Sequence, residues 1–346
     1  MKNIIIIIIG VLLFFSCKKE QALDNLNETI YVRHQGADMA VYLRGNIASN
    51  VLVLVVHGGP GGNGLEYRTG PWTVDLEKKY CMAYWDQRGQ GMSHGKFNKE
   101  NMTIAQMVAD MDAVIQTLKF KFGKDLKVFA YGHSWGGTIT PKYMITGNLQ
   151  QNVEGWITSN GAHDMPKNDI ESVKLFLKTA DEQITAGNST DKWKEIKTWA
   201  SGIDTNSITD AQSLEINKKA FEVEKWLFED GVLNPIGEGG NSGGGIFSPI
   251  NPLSSQLNGR LTNTLLSKEI QETSFTNQLF KVTIPTLVLA GKYDFVVAPE
   301  LANDAFNLIS SANKKLVVFN KSGHSPMSHE PTLYTQELIS FIDTHK

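Results

Sequence analysis

Only two cysteines, Cys17 and Cys81, occur in 346 residues. So few exclude a disulfide-stapled scaffold, and no disulfide is expected. No cysteine and histidine cluster has metal-ligand spacing, so neither a metal nor another cofactor is implied. Neither charge sign dominates: 33 lysines and arginines face 36 aspartates and glutamates, for a net charge of −3. The basic residues are spread along the chain, which leaves no basic face for nucleic acid. There is no internal repeat. The apolar stretch Ile4 to Phe15, broken only by Gly10, is too short for the ~18 to 20 residues that span a bilayer. What is present is ample apolar material, 41% of the chain, enough for one large core and an inserted subdomain.

That material is organised as strand-length runs, each ending in residues suited to chemistry. Lys127 to Tyr131 reads as a buried strand and runs into Gly132-His133-Ser134-Trp135-Gly136, followed by helix-like sequence from Gly137 to Thr146. Flanking glycines let a strand turn sharply into a helix, so the serine between them points its hydroxyl out of the fold. The pentapeptide alone is a weak signal; its company strengthens it. Val51 to Val56 is a continuous apolar run, as in a parallel strand covered on both faces, and ends in His57-Gly58-Gly59-Pro60-Gly61-Gly62. Such a glycine-rich loop can offer backbone N–H groups to a developing oxyanion. Ile284 to Gly291 and Lys315 to Phe319 repeat the strand pattern and deliver Asp294 and His324.

The chain order Ser134, Asp294, His324 supplies a nucleophile, an orienting carboxylate and a general base. A serine hydroxyl is nearly inert until a histidine takes its proton, and the histidine needs a carboxylate to fix its tautomer. Asp294 has a competing reading as the cap of a helix beginning near Pro299. His324 competes with His329, which reads as the entry to the last helix. The N–H groups of Trp135 and Gly59 are the expected oxyanion donors. Asp86 and Arg88 are expected to form a buried pair, and Cys81 a buried structural thiol.

The HGGPGG run, Trp85-Asp86-Gln87-Arg88-Gly89-Gln90-Gly91-Met92-Ser93, the elbow and Ser322-Gly323-His324-Ser325 together resemble the proline iminopeptidase group of α/β-hydrolases. The resemblance covers roughly residues 28–161 and 282–346. It implies an α/β-hydrolase fold, a mostly parallel sheet flanked by helices, with an inserted helical cap over 162–281. His133 departs from the family's usual glycine before the serine, and Met92 replaces its common basic residue. The resemblance further implies a glutamate from the cap that receives the substrate's amine. Glu229, closing the segment Ala220 to Glu229, stands in the matching place; the competing reading is a charged helix facing water.

Met1-Lys2-Asn3, the apolar stretch and Ser16-Cys17 resemble a bacterial lipoprotein leader. The expectation is a signal peptide over 1–16, a lipidated Cys17 and a polar tether over 17–27, giving an exported, membrane-anchored protein. The core strands begin with a hairpin of Glu28 to His34 and Met39 to Arg44. Thr103 to Phe122 has the spacing of one helix face, with Thr103 and Gln106 placed for a capping box. Val153 to Ser159 reads as a further strand. The expected activity is serine hydrolysis through an acyl-enzyme, releasing amino-terminal residues from short peptides. The alternatives are an esterase or lipase-like hydrolase of small acyl esters, and an inactive surface-binding lipoprotein.

Overall fold

The computed structural model describes residues 23–98, 100–237 and 252–346. The leader with Cys17, and the glycine-rich run 238–245, lie outside the described residues. The sheet strands are β1 Leu26–His34, β2 Ala37–Gly45, β3 Val51–Val56, β4 Cys81–Trp85, the short β5 His94–Gly95, β6 Lys127–His133, β7 Gly155–Ser159, β8 Thr286–Gly291 and β9 Lys314–Phe319. They lie side by side in the order β1-β2-β4-β3-β6-β7-β8-β9, with β5 on β2. The β1/β2 and β2/β4 pairs are antiparallel, and every pair from β4 to β9 is parallel.

The continuous apolar runs follow from burial on both faces. Leu52, Leu54 and Val56 of β3 enter one core, and Val51, Val53 and Val55 the other. Helices α1 Trp72–Lys79, α2 Ile104–Phe122 and α3 Gly136–Ile145 connect successive strands. The face of α2 carrying Met107, Met111 and Ile115 packs in the first core with Ile139 of α3. Trp72 and Leu76 of α1 pack in the second. Thr103 caps α2 by accepting from Gln106 N at 3.1 Å. The reciprocal half of the expected box is replaced: the Gln106 side chain donates to Asp110 at 3.0 Å.

Between β7 and β8 the described chain is helical: α4 Met165–Ala186, α5 Thr190–Ser201, α6 Asp210–Glu229 and α7 Pro252–Gln271. Of these, α4, α5 and α6 carry a third apolar cluster over the carboxyl ends of the strands, while Leu266 of α7 packs in the first core. The third cluster joins Phe176, Trp193, Val223 and Leu227 to Phe295, Val296 and Val297, which follow β8. The cap is therefore seated on the loop that carries Asp294. After β8 come α8 Pro299–Leu308, the single turn α9 Pro326–His329 and α10 Pro331–His345; Tyr334, Leu338 and Ile342 of α10 complete the second core.

Candidate active site

Ser134 stands between β6 and α3 in a left-handed conformation, φ 54°. An isolated non-glycine residue there costs of order 1–3 kcal/mol and needs a surrounding structure that enforces it. The flanking glycines show what does. A Cβ at Gly136 would lie 1.9 Å from the carbonyl oxygen of Val56, and one at Gly132 would lie 2.4 Å from Thr140 Oγ1. Only hydrogen fits at either place, so strand and helix close around the serine.

His324, in the loop after β9, brings Nε2 to 2.9 Å from Ser134 Oγ. Its Nδ1 lies 3.0 and 3.1 Å from the two oxygens of Asp294, which follows β8. The three expected residues, each beyond a separate strand, thus converge. Asp294 is fully buried, and its Oδ1 accepts from the amides of Val296 and Val297 at 2.9 and 2.8 Å. The Asn160 side chain donates to its Oδ2. The carboxylate is thus fixed on three sides before it meets the histidine. Burial opposes the charged imidazolium, yet the Asp294 carboxylate holds His324 above the ordinary histidine value. His329 is elsewhere, its Nδ1 against the Asn234 carbonyl at 2.6 Å.

The Gly58 N–H donates to Tyr67 Oη at 2.8 Å and the Gly61 N–H to Gln90 Oε1 at 2.5 Å. Gly59 lies between these two pinned amides, and Trp135 follows the serine; both line the pocket at Ser134. Tyr67 Oη is 2.6 Å from His133 Nδ1, and His133 Nε2 is 2.8 Å from the His324 carbonyl oxygen. With Nε2 donating, Nδ1 must accept from the tyrosine, which requires a neutral ring. Burial, reinforced by neighbouring His324, pushes His133 down to about 3, in keeping with that tautomer. The residue that departs from the family pattern therefore ties the glycine-rich loop to the histidine loop. His57 is buried and pushed down to about 4; its Nδ1 bonds the Gly58 carbonyl oxygen, away from the serine.

The WDQRGQGMS segment acts as bracing. Gln87 Oε1 accepts from Trp135 Nε1 at 2.7 Å, and its amide donates to the His57 carbonyl oxygen at 2.9 Å. The expected pairing of Arg88 with Asp86 is corrected: Arg88 forms a two-pronged ion pair with Asp110 of α2, both contacts 2.7 Å, with neither side chain exposed. Asp86 instead accepts from the amides of Gly64 and Met92 at 2.7 Å and from Tyr42 Oη at 3.1 Å. Donors without charge satisfy it, while burial pushes its carboxyl up to about 6. Cys81 is buried, and its burial pushes the thiol up to about 12, as expected of an inert structural cysteine.

Glu229 is not brought to the serine. It ends α6 on the outside, 45% exposed, between Lys192 at 3.6 Å and Lys225 at 3.7 Å. Glu224, one and a half turns earlier, is the carboxylate that reaches the triad. It accepts from the amides of His324 and Phe295 and is pushed up to about 8 by burial and by Asp294. Sequence reasoning missed Glu224, Tyr67 and Asn160. Of these only Asn160 carried a readable sign, a polar residue just past the strand Gly155–Ser159.

Ser134, His324, Gly59 and Trp135 open on a cavity of about 580 Å³, walled on the cap side by Asp169, Ser213, Asn217 and Phe221. Among the described residues lining it are two carboxylates, Glu66 and Asp169, and no lysine or arginine. A carbonyl placed at Ser134 would meet a nucleophile with its base, beside the residues Gly59 and Trp135, an arrangement suited to acyl transfer.

Comparison with known proteins agrees. The family described as "Serine aminopeptidase, S33" matches residues 51–213, just under half of the chain. A probable aminopeptidase of Bacillus subtilis is 24% identical over 315 residues, covering 88% of this chain and 92% of that protein. A proline iminopeptidase of Saccharolobus solfataricus is 28% identical over 298 residues, 85% of this chain and 86% of its own length. Among solved structures, a proline iminopeptidase-related protein of Thermus thermophilus superposes with a TM-score of 0.59 at 17% identity, over 92% of this chain and 98% of the other. An esterase of Exiguobacterium antarcticum gives 0.56 at 21%, over 92% and 100%. Sheet order, elbow and these likenesses place the chain among the enzymes of the α/β-hydrolase superfamily.

Proposed function

We propose that the protein is a serine aminopeptidase of proline iminopeptidase type, releasing the amino-terminal residue of short peptides through an acyl-enzyme. The observation that carries the chemistry is the 2.9 Å contact of His324 Nε2 with Ser134 Oγ, backed by Asp294. Ser134 Oγ attacks the scissile carbonyl while His324 takes its proton. The oxyanion is met by the amides of Gly59 and Trp135. As the tetrahedral intermediate collapses, the C–N bond breaks and His324 returns the proton to the departing amine. Water, deprotonated by the same imidazole, then attacks the acyl-enzyme and frees Ser134.

Peptide rather than ester substrates are supported by the relatives' activities and by a pocket with carboxylates and no described cation, which suits a free amine. The test is kcat/KM on prolyl, alanyl and leucyl p-nitroanilides beside p-nitrophenyl acetate and butyrate. Release of p-nitroaniline from free aminoacyl substrates, with proline preferred, is the expected result. Ester turnover with none of the anilides cleaved would make the protein an esterase instead. We also assign the leader to export, with Cys17 lipidated and the enzyme held at a membrane of the bacterial envelope; Lys2, the apolar stretch and Ser16-Cys17 support this.

A further inference from the structure

The proton that His324 returns goes to the departing group, so that group leaves past the imidazole and meets whatever stands beside it. On the core side the ring is covered by His133 of β6, with ring centroids 4.9 Å apart. On the cap side stands Phe221 of α6, with ring centroids 6.3 Å apart and the two planes almost perpendicular at 89°. Nε2 itself is turned to Ser134 Oγ at 2.9 Å. Phe221, His324 and Ser134 line one cavity, so the ring of Phe221 borders the space into which the leaving group moves.

Phe221 is not part of the core. The inward packing of α6 is done by Ile216, Ala220, Val223 and Leu227, while 55% of Phe221 is exposed. Leu214, seven residues earlier, is 67% exposed and lines the same cavity. Positions seven apart share a helix face, so the two side chains form one apolar edge about 10 Å long. A single exposed apolar side chain is ordinary. Two on a pocket wall, one of them beside the general base, make a surface that an apolar group of the substrate can cover.

We propose that Phe221, extended by Leu214, forms the leaving-group subsite: it takes the side chain of the residue after the scissile bond and favours large apolar or aromatic ones. In its peptide form this rests on the aminopeptidase reading. The same geometry serves the alcohol of an ester, which departs past the same imidazole. Phe221 acts by contact alone, as an aromatic platform for the group that leaves.

The test measures kcat/KM for release of proline from prolyl-phenylalaninamide and prolyl-glycinamide by the wild type, Phe221→Leu and Phe221→Ala. The two substrates share the same proline and differ only beyond the scissile bond. The wild type is expected to favour the phenylalanine substrate about 10-fold, Phe221→Leu to favour it less, and Phe221→Ala hardly at all. Both variants alter a side chain that is more than half exposed, so both are expected to fold. A wild type without that preference would overturn the assignment. So would a Phe221→Ala enzyme that loses both substrates in equal proportion, which would mark Phe221 as a support of His324 and not a subsite. If the wild type cleaves neither dipeptide amide but hydrolyses esters, the aminopeptidase reading falls, and the subsite is judged by the same ratio on 2-phenylethyl and ethyl acetate. A preference for the phenylethyl ester that Phe221→Ala abolishes would uphold it; equal rates, or no turnover of either pair, would overturn it.

Discussion

Glu224 of the cap helix α6 accepts a hydrogen bond from the backbone N–H of His324, at 3.0 Å to one oxygen and 3.2 Å to the other. The same carboxylate takes the N–H of Phe295, next to Asp294, at 3.3 Å. A Cβ at Gly323 would come within 2.4 Å of it, so the loop's glycine is what lets the carboxylate in. One side chain of the cap therefore joins the loops that bear the acid and the base.

That junction has a pH signature. Burial and Asp294 push the Glu224 carboxyl up to about 8, well above the unfolded value of about 4.5. In the intervening range the folded state binds a proton that the unfolded state has lost, so stability falls as pH rises from about 4.5 to 8. Glu224→Gln keeps an acceptor and removes the titration. Urea unfolding at pH 5, 6, 7 and 8 should show the variant losing less stability across the range than the wild type, by at least about 1 kcal/mol. Parallel curves would remove this role for Glu224.

The catalytic histidine sets the acid limb of the rate profile. Although burial works against it, Asp294 raises His324 above the ordinary 6.5, and only the neutral ring accepts the proton of Ser134. kcat/KM should therefore rise with pH through a midpoint above 6.5. His133, held near 3, contributes nothing to that limb. A midpoint well below 6.5 would contradict the geometry around the imidazole.

The Arg88–Asp110 pair braces the segment that supports the oxyanion loop. Both partners are wholly buried, so removing one strands the charge of the other. Asp110→Asn is expected to cost about 3–5 kcal/mol in chemical denaturation. Asp86→Asn, with no cation beside it, should cost less. The reverse ranking would restore the pairing suggested by adjacency in sequence.

The fate of the amino terminus is open to a direct check. Expressed with its own leader in a bacterial host, the protein should partition into detergent, and Cys17→Ser should block lipid attachment. Recovery of soluble native protein beginning at Met1 would contradict lipid anchoring.

What the sequence made legible was local. The run Val51–Val56 and its counterparts read as two-faced strands because nearly every position is apolar, and Ser134 and Asp294 could be placed because each follows such a strand; His324 follows the apolar end of the partly exposed edge strand β9. Partners that depend on docking were not legible. Arg88 chose Asp110, 22 residues away, because the loop after β4 meets α2 in the fold. Glu224 and Glu229 are five residues apart on one helix, so they lie about 140° apart around its axis. Nothing in the segment says which of those two directions faces the triad; the docking of the whole cap decides it. The resemblance pointed to Glu229, and the packing of Val223 and Leu227 inward turns Glu224 inward in its place.

Labelling with a fluorophosphonate probe, followed by peptide mass spectrometry, tests the central claim that Ser134 is a nucleophile activated by His324. The wild type should carry one phosphonyl group, on Ser134. Ser134→Ala should carry none, His324→Ala should react far more slowly, and His329→Ala should react like the wild type. Absence of label in folded wild-type protein, or undiminished label in Ser134→Ala, would contradict the account.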